Sequence, residues 1–122
     1  MLQFFKSLID QDGNPIVLCD TEHVIRYMNP AAIVYYASYG GDALVGKSLM
    51  GCHKPASREA IERILAWFRV DKGNNRVHTM YLPKEKLDVY VIALRDDNGE
   101  LIGYYEQQIF REPDPAPLYA MN

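Results

Sequence analysis

The last third of the chain restricts the fold most. Val77 to Leu82, Leu87 to Arg95 and Leu101 to Phe110 read as three consecutive strands, rich in β-branched and aromatic residues and separated only by short turns. Asp97-Asn98-Gly99 marks one turn, because Asn-Gly tolerates the positive φ angles of a type I′ hairpin. Two further strands lie near the start. Ile16-Val17-Leu18-Cys19 is a continuous apolar run, and Val24 to Met28 is β-branched and aromatic, with the turn Asp20-Thr21-Glu22-His23 between them. Helical segments occupy the space between these two groups. Strands and helices therefore segregate along the chain, which predicts an α+β fold with an antiparallel sheet and helices on one side.

The helical segments have recognisable starts and stops. Phe4, Phe5, Leu8 and Ile9 share one side of a short amphipathic opening helix, which Asp12-Gly13-Asn14-Pro15 breaks. Asn29 is an N-cap followed by Pro30 at the first helical position, and that helix runs to Tyr39 before Gly40-Gly41. Asp42 caps a short Ala43–Val45 segment. The clearest helix begins at Ser57 and ends near Asp71, with Ala60, Ile61, Ile64, Leu65 and Phe68 at helical spacing. After Phe110 and Arg111, the run Glu112-Pro113-Asp114-Pro115-Ala116-Pro117 continues neither strand nor helix. Residues 1–111 thus form one domain and residues 112–122 a Pro-rich tail.

Composition excludes several functions. A length of 122 residues suits one domain, with 48% hydrophobic and 24% charged residues. A net charge of −3 argues against a general nucleic-acid binder, which needs a basic excess. No apolar run approaches the roughly 20 residues that span a bilayer, so no membrane partner is expected. Two cysteines, Cys19 and Cys52, make no disulfide framework, and the absence of a secretory start points to reduced thiols in the cytoplasm.

Asp20 to Ala32, read as a turn, a strand and then Asn29-Pro30-Ala31-Ala32, resembles the opening of a PAS domain. Tyr39 to Leu49, a short helix ending in Gly46-Lys47, is similar to the family's next stretch, and Asp96 to Gly103 to its C-terminal hairpin. The resemblance covers about residues 5 to 111. It implies a five-stranded antiparallel sheet in spatial order 2-1-5-4-3, with helices covering one face around a small pocket. It also implies a sensory or ligand-binding module acting in signalling through small-molecule or cofactor binding and dimerisation. The alternative is a ligand-free module for protein–protein interaction. Two departures stand out. His23 occupies a position where the family usually has Gly, and Gly51-Cys52-His53-Lys54-Pro55 is similar to a subgroup with a Cys-His-x-Pro element.

Each candidate site residue has a competing plain reading. His53, just before the long helix, is a candidate axial ligand for haem iron; the plainer role is to stabilise its loop. Cys52 lacks the Asn-Cys-Arg-Phe-Leu-Gln type motif that flavin photosensors of the family carry, so flavin is not expected. His78, on a predicted strand, shares a face with Met80 and Leu82 if alternation is regular. His23, His53 and His78 lie on separate elements without metal-ligand spacing, so no metal site is expected. No catalytic constellation appears, and the chain reads as a non-enzyme. The expected pocket residues are Tyr36, Met50, His53, Ile64, Leu65, Phe68, Tyr81 and Tyr105, suited to a small apolar or aromatic ligand, with plain core packing as the alternative. Both parities of Val89 to Leu94 are apolar, which predicts that the outer sheet face is also covered. A second copy or the opening helix would do this, and a homodimer is the expectation.

Overall fold

In a computed structural model, the structure describes residues 1–52 and 54–121; the side chain of Cys52 and all of His53 and Asn122 lie outside the described set. The chain order is α1 (Leu2–Gln11), β1 (Ile16–Asp20), β2 (Ile25–Met28), α2 (Pro30–Tyr35), three 3₁₀ turns, α3 (Pro55–Val70), β3 (Arg76–Leu82), β4 (Leu87–Arg95) and β5 (Leu101–Phe110). The strands form one antiparallel sheet in the order β2-β1-β5-β4-β3. Residues 112–121 are exposed and carry no helix or strand.

The elements follow their local chemistry, with a few shifts. The Asn29 side chain accepts from Ala32 N and Pro30 opens α2, but the α-helix closes at Tyr35 and continues as 3₁₀ turns at Ala37–Tyr39 and Gly41–Leu44. A second proline, Pro55, opens α3 two residues earlier than Ser57. Arg95 of β4 holds the end of α3 and the turn after it, donating to Phe68 O, Asp71 O and Asn74 O. At the β4–β5 turn, Gly99 has φ 81° and its N–H donates to Asp96 O, while Asn98 has negative φ. A type I′ turn needs positive φ at both central residues. The geometry is instead a type I turn followed by a left-handed glycine, and the ladder register slips beside it, between Leu94 and Arg95.

One face of the sheet carries the core. Val17 and Cys19 of β1, Val91 of β4 and Tyr104 of β5 are buried against Ile61, Leu65 and Phe68 of α3 and Ala32 of α2. Gly103 lets β5 run close to β1: a Cβ there would lie 2.3 Å from Cys19 O. The most connected buried polar group is Asn29, fully buried. Its Oδ1 accepts from Ile16 N and Ala32 N (both 2.9 Å), and its Nδ2 donates to the carbonyls of Ile9, Asp12 and Asn14. One side chain thus ties α1, the loop after it, β1 and α2 together.

The opposite face of the sheet is partly covered by its own side chains. Tyr90 is buried beneath Arg76, whose guanidinium carbon lies 3.9 Å from the ring centroid, and beside His78, with ring centroids 5.0 Å apart. Arg111 donates to Tyr90 Oη and Asp88. The double apolarity of β4 is therefore met in part within the chain. The helix α1 buries none of its residues, and Leu2, Phe4, Phe5 and Leu8 stay exposed.

Candidate functional site

Between α3 and the inner sheet face lies a cavity of about 680 Å³. The sheet gives the cavity apolar Val17, Val89 and Val91. Ala60, Ile61 and Ile64 come from α3, and Met28 and Leu44 from the segments around α2. The exposed members of the lining, Tyr39, Ser57, Thr79, Met80 and Glu85, place the mouth between the end of α2 and the β3–β4 hairpin. A concave, mostly apolar chamber with a few convergent polar groups is the usual make-up of a small-molecule site.

The polar groups come from α2, the β3–β4 turn and β5. Tyr36 donates to Glu106 Oε1 (3.2 Å) and accepts from Gln108 Nε2; nearer the mouth, Tyr35 donates to Glu85 Oε2 (3.1 Å). Burial, joined by the neighbouring Glu106 carboxylate, pushes the Tyr36 pKa well above the ordinary tyrosine range, so its proton stays in place. Tyr35 and Tyr36 meet edge to face at 5.0 Å, and Tyr36 and Tyr39 at 6.5 Å. Gln108 is only 5% exposed, and its Oε1 has no hydrogen-bond partner among the described residues. Buried side-chain oxygens are seldom left so, because the desolvation goes uncompensated.

A family model for the PAS fold matches residues 9–107. The chain belongs to the PAS family. Solved structures agree on the fold. The PAS domain of a Colwellia psychrerythraea protein superposes with a TM-score of 0.67 at 15% identity, covering 89% of this chain and 95% of that one. The PAS domain of Bordetella pertussis BvgS gives 0.61 at 26% identity, covering 92% and 87%. The Aer2 receptor of Vibrio cholerae, a dual PAS-haem oxygen sensor, gives 0.56 at 22% identity, covering 79% and 92%. No curated protein matches the chain. PAS domains are generally sensory signalling modules rather than catalysts. No helix among the described residues is long and apolar enough to cross a membrane.

In this PAS domain the residues expected at the pocket divide. Tyr36 and Ile64 line the cavity. Leu65 and Phe68, at 1% and 0% exposure, are buried in the core beneath α3, and Met50 packs against that core from the 3₁₀ turn before that helix. Tyr105 pairs with Leu18 and Ile92 on the outer face, because the inward parity of β5 is Tyr104, Glu106 and Gln108. Tyr81 is half exposed and also points outward. The cause is a bulge at Thr79, which shifts the β3 register between His78 and Met80. It turns Met80 and Leu82 inward while His78, which regular alternation places with them, faces out and bonds to Asp88 (2.8 Å). The expectation at His53 lies outside the described residues. Sequence reading missed Glu106, Gln108, Tyr35, Tyr39 and Glu85. The signal for the first two was the polar run Glu106-Gln107-Gln108 in a central strand, where one parity has to face the core.

The remaining candidates have structural partners. His23 adopts φ 69°, the left-handed conformation suited to the glycine usual there. Its ring bridges two layers: Nδ1 meets Tyr104 Oη (2.8 Å) and Nε2 meets Glu62 Oε1 of α3 (2.9 Å). Cys19 is buried against the Tyr104 hydroxyl, and burial pushes its thiol up to about 12. No group of three or more His, Cys, Asp or Glu poised for a metal occurs among the described residues. For haem, the described lining offers two carboxylates and no Lys or Arg toward the propionates. That end of the cofactor does not fit the residues described.

Proposed function

We propose that this PAS domain is a sensory module that binds a small, largely apolar molecule in the cavity between α3 and the sheet, and works as a homodimer in the cytoplasm. The observation that carries the reading is the chamber of about 680 Å³ beside a buried Gln108 amide oxygen without a partner among the described residues. A domain that simply filled its own interior would have little reason to keep both. The dimer is supported by the exposed apolar residues of α1 and by the half-buried strip Leu18, Tyr105, Ile92 and Leu94 on the outer face.

Native mass spectrometry of the purified protein, with Ile64→Trp as control, tests this. Trp at 64 projects into the cavity from α3. The expected result is a non-covalent adduct of a few hundred daltons on the wild type. It should be lost in Ile64→Trp, with circular dichroism unchanged. If neither protein carries an adduct and no compound in a thermal-shift library stabilises the wild type selectively, the ligand-free interaction module becomes the better reading. Sedimentation of Phe4→Glu/Leu8→Glu reports separately on the dimer, which the double variant should dissociate.

A further inference from the structure

The turn of residues 83–86, between β3 and β4, is held from two sides. On one side Glu85, at the cavity mouth, accepts a hydrogen bond from Tyr35 Oη of α2 (3.1 Å). Burial, with that carboxylate beside it, holds the Tyr35 pKa above the ordinary tyrosine range, so the phenol keeps the proton it donates. On the other side Lys86 reaches the end of β5. Its carbonyl accepts from Arg111 N (2.9 Å), and its ammonium pairs with Glu112 Oε1 (2.8 Å). The Arg111 side chain donates in turn to Asp88 Oδ2 (2.7 Å) and Tyr90 Oη (2.8 Å) of β4. Lys86 has φ 51°, a left-handed conformation that a residue with a Cβ adopts at a cost. The next residue, Leu87, is fully buried and pairs with Phe110. Within two residues the chain thus passes from an exposed turn at Glu85 to an anchored strand at Leu87, and the unfavourable φ lies between them.

We propose that residues 83–86 form a strap over the cavity mouth, which couples the mouth to the end of β5. In its closed state Tyr35 clasps Glu85 and Lys86 holds residues 111 and 112. In its open state both grips are lost together. An exposed hydrogen bond, an exposed ion pair and one backbone bond each hold weakly alone. Here they act on four exposed residues fixed at one end by Leu87. Losing the clasp at Glu85 lets Lys86 leave the left-handed region, and its carbonyl then turns away from Arg111. Opening relieves the strain at Lys86, which gives the turn two arrangements rather than a continuum. Exposed backbone bonds with few buried contacts are where local opening occurs. The strap rests on the reading of the cavity as a ligand site and adds where occupancy is felt. A molecule that fits beneath the closed strap steadies residues 111 and 112, and one that props the mouth open frees them. Either acts only through its different affinity for the two states.

Amide hydrogen exchange of the whole chain, followed residue by residue by NMR, tests the strap without a ligand. The reporter is Arg111 N–H, which donates to Lys86 O, and the control is Gln108 N–H of the same strand, which donates to Pro15 O. Tyr35→Phe removes only the clasp hydroxyl. It should speed exchange at Arg111 at least about threefold and leave Gln108 within about twofold of wild type. Glu85→Ala should do the same. Tyr35→Phe/Glu85→Ala should be no faster than either single variant, because all three break one bond. An Arg111 rate unchanged in both single variants overturns the strap. Equal acceleration at Arg111 and Gln108 overturns it too, since that reports general loosening, as do single effects that multiply in the double variant. A wild-type Arg111 N–H that exchanges at the unprotected rate also overturns it, because the closed state is then not populated. The adduct sought by native mass spectrometry decides the ligand site separately. Coupling without an adduct keeps the strap and removes its ligand, whereas an adduct without coupling keeps the ligand site and removes the strap.

Discussion

Asn29 holds the start of α2, and α2 carries Tyr35 and Tyr36 to the cavity, so the site depends on one buried amide. In Asn29→Ala the cap of α2 is lost, worth about 1 kcal/mol. Ile16 N–H is left buried without its acceptor, at about 1–3 kcal/mol. The carbonyls of Ile9, Asp12 and Asn14 lose a donor but lie in a partly buried region where water can replace it, adding at most about 1 kcal/mol. The sum is about 2–5 kcal/mol, a large share of the 5–15 kcal/mol typical of a domain. For a chain of this size that lowers Tm by roughly 8–20 °C. Asn29→Asp separates the two sides of the amide. It keeps the two acceptor bonds but aims a negative oxygen at three carbonyls. At neutral pH it should cost at least as much as Ala. The buried site raises the folded-state pKa of that new carboxyl above its unfolded value, so the penalty is full at high pH. It fades as pH falls through the folded pKa, where the protonated group can donate to one carbonyl. Urea and thermal unfolding, followed by circular dichroism and Trp67 fluorescence at pH 7 and 5, measure both. A loss below about 1 kcal/mol for Asn29→Ala, or an Asp variant indistinguishable from wild type at pH 7, would refute the assignment of Asn29 as the junction.

Two further outcomes follow from single residues. His23→Ala keeps the left-handed backbone strain and loses both ring bonds, whereas His23→Gly loses the bonds but relieves the strain. Ala should therefore be less stable than Gly by about 1 kcal/mol, and equal unfolding midpoints would contradict the φ of 69° as a source of strain. In a Cys52→Ser background, Cys19 should react with iodoacetamide at pH 8 at least about a hundredfold more slowly in the native protein than in urea. Its thiol is raised to about 12 and is 3% exposed. Native labelling within tenfold of the unfolded rate would place the thiol at the surface.

The fold was more legible than the site, and the difference has a physical cause. Strand positions rest on composition and on turns a few residues long, so β4 and β5 end where Leu87 to Arg95 and Leu101 to Phe110 suggest. Asn29 was legible as an N-cap because that role is local; its bonds to Ile16, Ile9 and Asp12 were not, since they join segments 13 to 20 residues apart. The cavity depends on which parity of each strand faces α3, and β4 is apolar on both. A single bulged residue, Thr79, sends Met80 inward and Tyr81 outward, and nothing in Arg76 to Leu82 marks it. The order β1-β5-β4 did hold usable information. A central strand whose odd positions pair Tyr105 with Leu18 and Ile92 on the outer face must bury Glu106 and Gln108 on the inner one. Carboxylates and amides placed there need partners, and Tyr36 supplies one for each. Among the described residues the Gln108 oxygen is left over, and in the proposed reading a donor from outside the chain meets it.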